Sequence, residues 1–176
     1  MATIGLVVHH EREKAAETAR RAAGWLLERG HQVRLPAPDG SIVGLGEYDV
    51  AVVEFSRGVD LAVSLGGDGT ILRTVDMVSR EGVPVLGISI GQLGYLAEVD
   101  PDLIEEVLER YLAGEYLVEE RLLLSVVVEA STPTSASDAS AMTTPQLALN
   151  EAVLEKTAAG HTVRLSVSIN GRFFTT

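Results

Sequence analysis

The sequence contains no cysteine. Disulfides, thiolate metal sites and cysteine nucleophiles are therefore excluded. Lysine is nearly missing as well, with only Lys14 and Lys156, and the other basic residues are arginines scattered along the chain. With 14 basic against 25 acidic residues, the formal net charge is −11. Such a surface repels nucleic acid and anionic membranes unless a basic patch overrides it, and the sequence shows no such patch. No apolar run approaches the roughly 18 residues of a membrane span. Thr3 to Val8 is too short for the core of a secretion signal and lacks a basic lead. Together these absences predict a cytoplasmic protein with neither nucleic acid nor membrane as partner.

What is present is ordinary for a globular chain: 46% hydrophobic and 22% charged residues over 176 positions. That length buries one full core, or one domain and part of a second. Ile4 to Val8 reads as a buried strand, and Glu11 to Arg29 as a helix stopped by Gly30. His31 to Leu35 alternates as a second strand, Pro36 to Gly46 is turn-rich, and Val50 to Phe55 reads as a short strand. Asp60 to Leu65 is a further strand. Thr70 to Arg80 follows as a helix, with Ile71, Val75 and Val78 on one face. Val83 to Ile90 is an apolar strand, and Pro101 to Leu112 a helix capped by Asp100 and closed by Gly114. Strands alternating with helices imply βαβ units and a parallel, Rossmann-like sheet.

From Tyr116 the texture changes. Leu122 to Val128, Leu147 to Leu154 and Val163 to Ile169 are strand-like with no helix between them, and Asn170-Gly171 opens a hairpin. These features predict an α/β domain over 1–115, then the start of an antiparallel β-rich domain over 116–176. The Ser-, Thr-, Ala- and Pro-rich stretch 131–146 reads as a mobile surface loop. The chain stops at Thr176, where the hairpin's second strand is forming, so a fragment of a longer protein or a chain needing a partner is expected.

Three segments carry chemistry. The first is Gly66-Gly67-Asp68-Gly69-Thr70, between a strand and a helix. Its glycines let backbone amides approach a ligand, and the helix start adds a site for anions. No Lys follows as in a Walker loop, and the dinucleotide spacing is absent, so phosphate charge must be met by amides, Mg²⁺ and Arg73. Asp68 stands free to orient and deprotonate an attacking hydroxyl. The blander alternative is an Asp-Gly turn, which the following helix disfavours.

The second is Asn150-Glu151, a polar break in an apolar run whose two faces read as buried. Such a pair can bond ribose hydroxyls or an amide; a bulge or a water-facing edge is an equal alternative. The third is the segment Gly87 to Leu96, where Gly91 and Gly94 permit a tight loop at a strand's C-terminal end, the place where open α/β sheets bind ligands. Tyr95 either lies over a ligand ring or packs in the core. His161, alone in a turn, reads as solvated, and His9-His10 is too isolated for a metal site. No residues at metal-ligand spacing and no Ser-His-Asp set are visible.

Taken in order, Gly66-Gly67-Asp68-Gly69-Thr70, Leu93-Gly94-Tyr95-Leu96 and Asn150-Glu151 resemble the NAD kinase family over nearly the whole chain. The resemblance implies transfer of the ATP γ-phosphoryl group to the 2′-hydroxyl of the adenosine ribose of NAD, giving NADP, with Mg²⁺. It implies Asp68 as the base and a phosphate-binding loop of Gly66, Gly67, Gly69 and Thr70. Asp68, Gly69, Arg73, Tyr95, Asn150, Glu151 and His161 are its implied NAD contacts, and the full-length protein is implied to be a homo-oligomer. Ser89 stands where many relatives carry Asn. The family's later Ser-Asp-Gly and Thr-Pro-Thr-Gly-Ser-Thr-Ala-Tyr segments are not in this sequence, so the isolated chain is expected to have little or no activity. Lipid kinases of the diacylglycerol or sphingosine type share the glycine loop and are the alternative, as is a non-catalytic nucleotide-binding module.

Overall fold

The computed structural model describes residues 1–91, 94–97, 99–128, 145–153 and 165–175. Its contacts divide the chain into two units, Met1–Leu123 and Leu124–Thr176.

The first unit is a five-stranded parallel sheet in the order β3-β2-β1-β4-β5. The strands are β1 (Thr3–Val8), β2 (Gln32–Pro36), β3 (Asp49–Val50), β4 (Leu61–Gly66) and β5 (Val85–Ser89). The expected Rossmann-like layer is therefore present. β1 and β4 are central, pairing from Ile4 with Leu61 to Val8 with Leu65. Every residue of β4 is buried, as a strand covered on both faces requires, which explains its unbroken apolar run.

Helices cover both faces. On one, α1 (Glu13–Glu28) lays Ala15, Ala19, Ala22, Ala23 and Leu26 against Leu6, Val8, Val63 and Leu65. Its buried stripe is almost all alanine, which lets the helix lie close to the sheet. Ile104 and Leu108 of α4 (Ile104–Leu112) join the same core. On the other face Val7, Phe55 and Ala62 meet Val78 of α3 (Asp68–Val78). Phe55 fills the space that Gly5 leaves: a β-carbon there would lie 2.6 Å from the ring.

Several expectations are corrected. The turn-rich segment after β2 contains a short helix, α2 (Asp39–Val43). The strand expected over Val50 to Phe55 is only the two-residue edge β3, followed by a 3₁₀ turn at Val52–Glu54, because Phe55 turns inward to pack. α3 starts at Asp68, two residues before the expected Thr70, with extended Gly67 as its N-cap. Thr74, not Val75, completes its buried face with Ile71 and Val78, and Thr74 Oγ1 satisfies itself on the Thr70 carbonyl at 2.8 Å. Asp100 caps the 3₁₀ turn Pro101–Leu103 ahead of α4 by accepting from the Asp102 amide.

The second unit contains two antiparallel pairs. β6 (Leu124–Val126) pairs with β7 (Gln146–Ala148). β8 (Val167–Ile169) pairs with β9 (Arg172–Thr175) through Asn170 and Gly171, both at positive φ. The strand expected over Leu147 to Leu154 ends at Ala148, and Asn150 and Glu151 beyond it are exposed rather than buried between two faces. Of the expected loop 131–146, residues 131–144 lie outside the described residues and Gln146 opens β7.

Candidate active site

In an open parallel sheet, ligands bind beyond the strand C-termini where the strand order reverses. Here that point lies between β1 and β4, whose following helices depart to opposite faces. A cavity of about 560 Å³ sits there. Val8, His9, His10, Glu11 and Arg12 line it from the end of β1. Gly67, Asp68, Gly69, Thr70 and Arg73 line it from the start of α3.

The glycine loop forms one wall. Gly67 provides no side chain to cap the first amides of α3, so the helix N-terminus faces the cavity with its partial positive charge. Thr70 is buried and turned back onto Gly66; a β-carbon on residue 66 would stand 2.6 Å from Thr70 Cβ. This contact explains why the strand must end in glycine.

Asp68 does not stand free, as the sequence suggested. Its Oδ2 accepts from the Tyr95 amide at 3.0 Å and its Oδ1 from the Leu96 amide at 3.1 Å. The carboxylate thus ties the glycine loop to the loop after β5. That second loop is also gripped at its start, where the Arg12 guanidinium donates to the Ile90 carbonyl. Tyr95 is no core residue: its side chain is 96% exposed.

The other wall was missed by sequence reasoning. Asp39, 2% exposed, accepts from the Val8 amide at 2.9 Å, lies 2.7 Å from His10 Nε2 and forms an ion pair with Arg73. This ring nitrogen faces a carboxylate, which only accepts, and a guanidinium, which only donates, so the tautomer sets which of the two it bonds. Arg73 Nη1 is 3.0 Å from the same ring nitrogen. His10 is therefore part of a cluster and not isolated. A buried carboxylate without partners costs several kcal/mol, and here three groups offset it. Scanning the residues just past every strand's C-terminus would have found His10 and Asp39, since both follow strands that end at this edge.

The structure brings Gly66, Gly67, Asp68, Gly69, Thr70 and Arg73 together with the backbone of Tyr95. Asn150 and Glu151 belong to the second unit, and His161 lies outside the described residues. Among the described residues no three His, Asp or Glu side chains are grouped to hold a metal ion, and no helix is long and apolar enough to cross a membrane.

A doubly wound parallel sheet whose switch point carries a glycine-rich loop and a helix N-terminus without a side-chain cap defines an open α/β domain with its cleft at the strand C-termini. Residues 4–116 match the ATP-NAD kinase N-terminal domain family, and the chain belongs to that family. It is 36% identical over 184 residues to an NAD kinase of Mycolicibacterium paratuberculosis, an alignment covering 97% of this chain and 57% of the relative. An NAD kinase of Methanothermobacter thermautotrophicus is 36% identical over 144 residues, covering 81% and 50%. The crystal structure of yeast NADH kinase complexed with NADH superposes with a TM-score of 0.79 at 19% identity, over 99% of this chain and 54% of that one. The chain spans about half the length of the curated relatives it matches.

Proposed function

We propose that this chain carries the phosphoryl-transfer part of an ATP-dependent NAD kinase. The 2′-oxygen of the adenosine ribose of NAD attacks the γ-phosphorus of ATP, the bond to the β-γ bridging oxygen breaks, and NADP and ADP result. Asp68 takes the hydroxyl proton. Each of its oxygens already accepts one amide, which orients the carboxylate and leaves lone pairs for the ribose. Gly66, Gly67, Gly69 and Thr70 shape the phosphate loop. Gly69, Arg73, Tyr95, Asn150, Glu151 and His161 contribute to the dinucleotide site.

The single observation that carries this reading is the cavity at the switch point, with Asp68 and the α3 amides on its wall in a chain of this family. Mg²⁺ fits as an ion carried largely by the nucleotide phosphates and water, since no acidic cage is built among the described residues. The parent protein is proposed to be a cytoplasmic homo-oligomer, and this chain alone to be weakly active.

The test is an enzyme-coupled assay for NADP with ATP, run beside radiolabelled-ATP transfer to diacylglycerol and sphingosine. Trace NADP formation that disappears in Asp68→Ala, with ATP affinity kept, supports the proposal. Transfer to a lipid alcohol and none to NAD overturns it. Turnover close to that of a full-length relative overturns the proposed weakness of the isolated chain.

A further inference from the structure

We infer that Asp39 is a positioning residue for diphosphate recognition, holding Arg73 and His10 from behind the cavity wall. The inference rests on the kinase reading only in taking the cavity to receive a nucleotide's phosphates. Asp39 does not line the cavity, yet all three of its partners, Val8, His10 and Arg73, do. It reaches them from the first residue of α2, beyond the strand that neighbours β1. One carboxylate therefore joins the end of β1, the loop after it and α3 across the switch point.

The exposures divide the labour. Asp39 is 2% exposed whereas the Arg73 side chain, which lines the cavity, is 37% exposed, so the pair is anchored at the back while part of the arginine still reaches the cavity. A free arginine loses rotamer freedom when it closes on a phosphate; one already held loses less. For stability alone a well-packed apolar residue would serve position 39 as well as a buried ion pair. What the pair adds is a fixed direction for Arg73 and the His10 ring. Its negative charge is offset by Arg73, so it does not oppose an anion in the cavity.

Both ATP and NAD carry the diphosphate that this arrangement suits, and separate titrations distinguish them. Calorimetry on the full 176-residue chain would measure ATP and NAD affinity for wild type, Asp39→Asn, Arg73→Ala, Arg73→Lys and Asp39→Asn/Arg73→Ala. Asp39→Asn is expected to weaken at least one nucleotide by about tenfold. The double variant should lose less than the sum of the two single losses, because part of what Asp39 does passes through Arg73. Arg73→Lys keeps the charge but cannot span Asp39 and His10, so it should resemble Arg73→Ala. Affinities within twofold of wild type for folded Asp39→Asn, or additive losses in the double variant, overturn the inference while leaving the kinase reading intact. Should Asp39→Asn fail to fold by circular dichroism, Arg73→Lys decides: wild-type affinity there overturns it. A wild-type chain that binds neither nucleotide overturns both readings.

Discussion

Gly94 faces the carboxylate of Asp68 so closely that a β-carbon at position 94 would stand 2.7 Å from Asp68 Cγ and 2.9 Å from Oδ2. The two loops at the ends of β4 and β5 are thus keyed to each other by one missing side chain and one carboxylate. Because Asp68 bonds the next two amides, those of Tyr95 and Leu96, any displacement also strips two hydrogen bonds.

Gly94→Ala should therefore destabilise the first unit by about 1–3 kcal/mol, since overpacking forces a shift. Gly94 has no left-handed φ, so overlap with Asp68 is the whole cause. In an Asp68→Ala background the same change should cost close to nothing. Urea unfolding of the four chains checks this double-mutant cycle, and additive losses would show that the overlap is not with Asp68. Hydrogen exchange at the Tyr95 and Leu96 amides should accelerate in Gly94→Ala and in Asp68→Ala alike.

Gly91 makes a contrasting case. Its φ of +105° belongs to a region that L side chains rarely adopt, and a β-carbon there would also overlap Arg12 Nη1. Gly91→Ala is expected to cost about 1–3 kcal/mol through backbone strain. Arg12→Ala relieves the overlap but not the strain, so the Gly91→Ala penalty should persist largely intact in that background. Full recovery of the unfolding midpoint in the double variant would contradict the strain explanation.

Tyr111 gives the fold a dependence on alkaline pH. Its hydroxyl donates to the Asp60 carbonyl at 2.7 Å, and its ring stacks on Tyr116 at 4.6 Å. Burial first, then the neighbouring Tyr116 and Asp60, raise its pKa above the usual 10.0. The folded state thus holds this proton to higher pH than the unfolded chain. The associated stability is complete below about pH 10 and is lost as pH rises above it through the folded value. Thermal unfolding from pH 8 upward should show that fall in wild type and a shallower one in Tyr111→Phe. The variant starts lower by about 1 kcal/mol for the lost hydrogen bond. Parallel curves would mean that Tyr111 does not supply the dependence.

Much of the first unit was legible because its signals are local. The unbroken apolar run of β4, the alanine stripe of α1, the Pro101 start and Gly114 stop around α4 each need only a few neighbouring residues. Asn170-Gly171 likewise announces its hairpin, since both residues accept positive φ. Val50 to Phe55 misled because its apolar residues serve the inward packing of Phe55 and not a strand. Around Asn150 the apolar run continued past the point where pairing stops, and hydropathy does not register where a ladder ends.

By itself the sequence determined the alternation of strands and helices, the glycine loop with Asp68, and the motifs that mark the family, all of them written in spans of a few residues. Only the tertiary structure decided that Asp39 pairs with Arg73 and His10, and that Asp68 is held by the loop after β5. Those contacts join residues 27 to 34 positions apart. They exist because the sheet order 3-2-1-4-5 brings four strand ends to one edge, an arrangement set by packing over the whole core and not by local propensity.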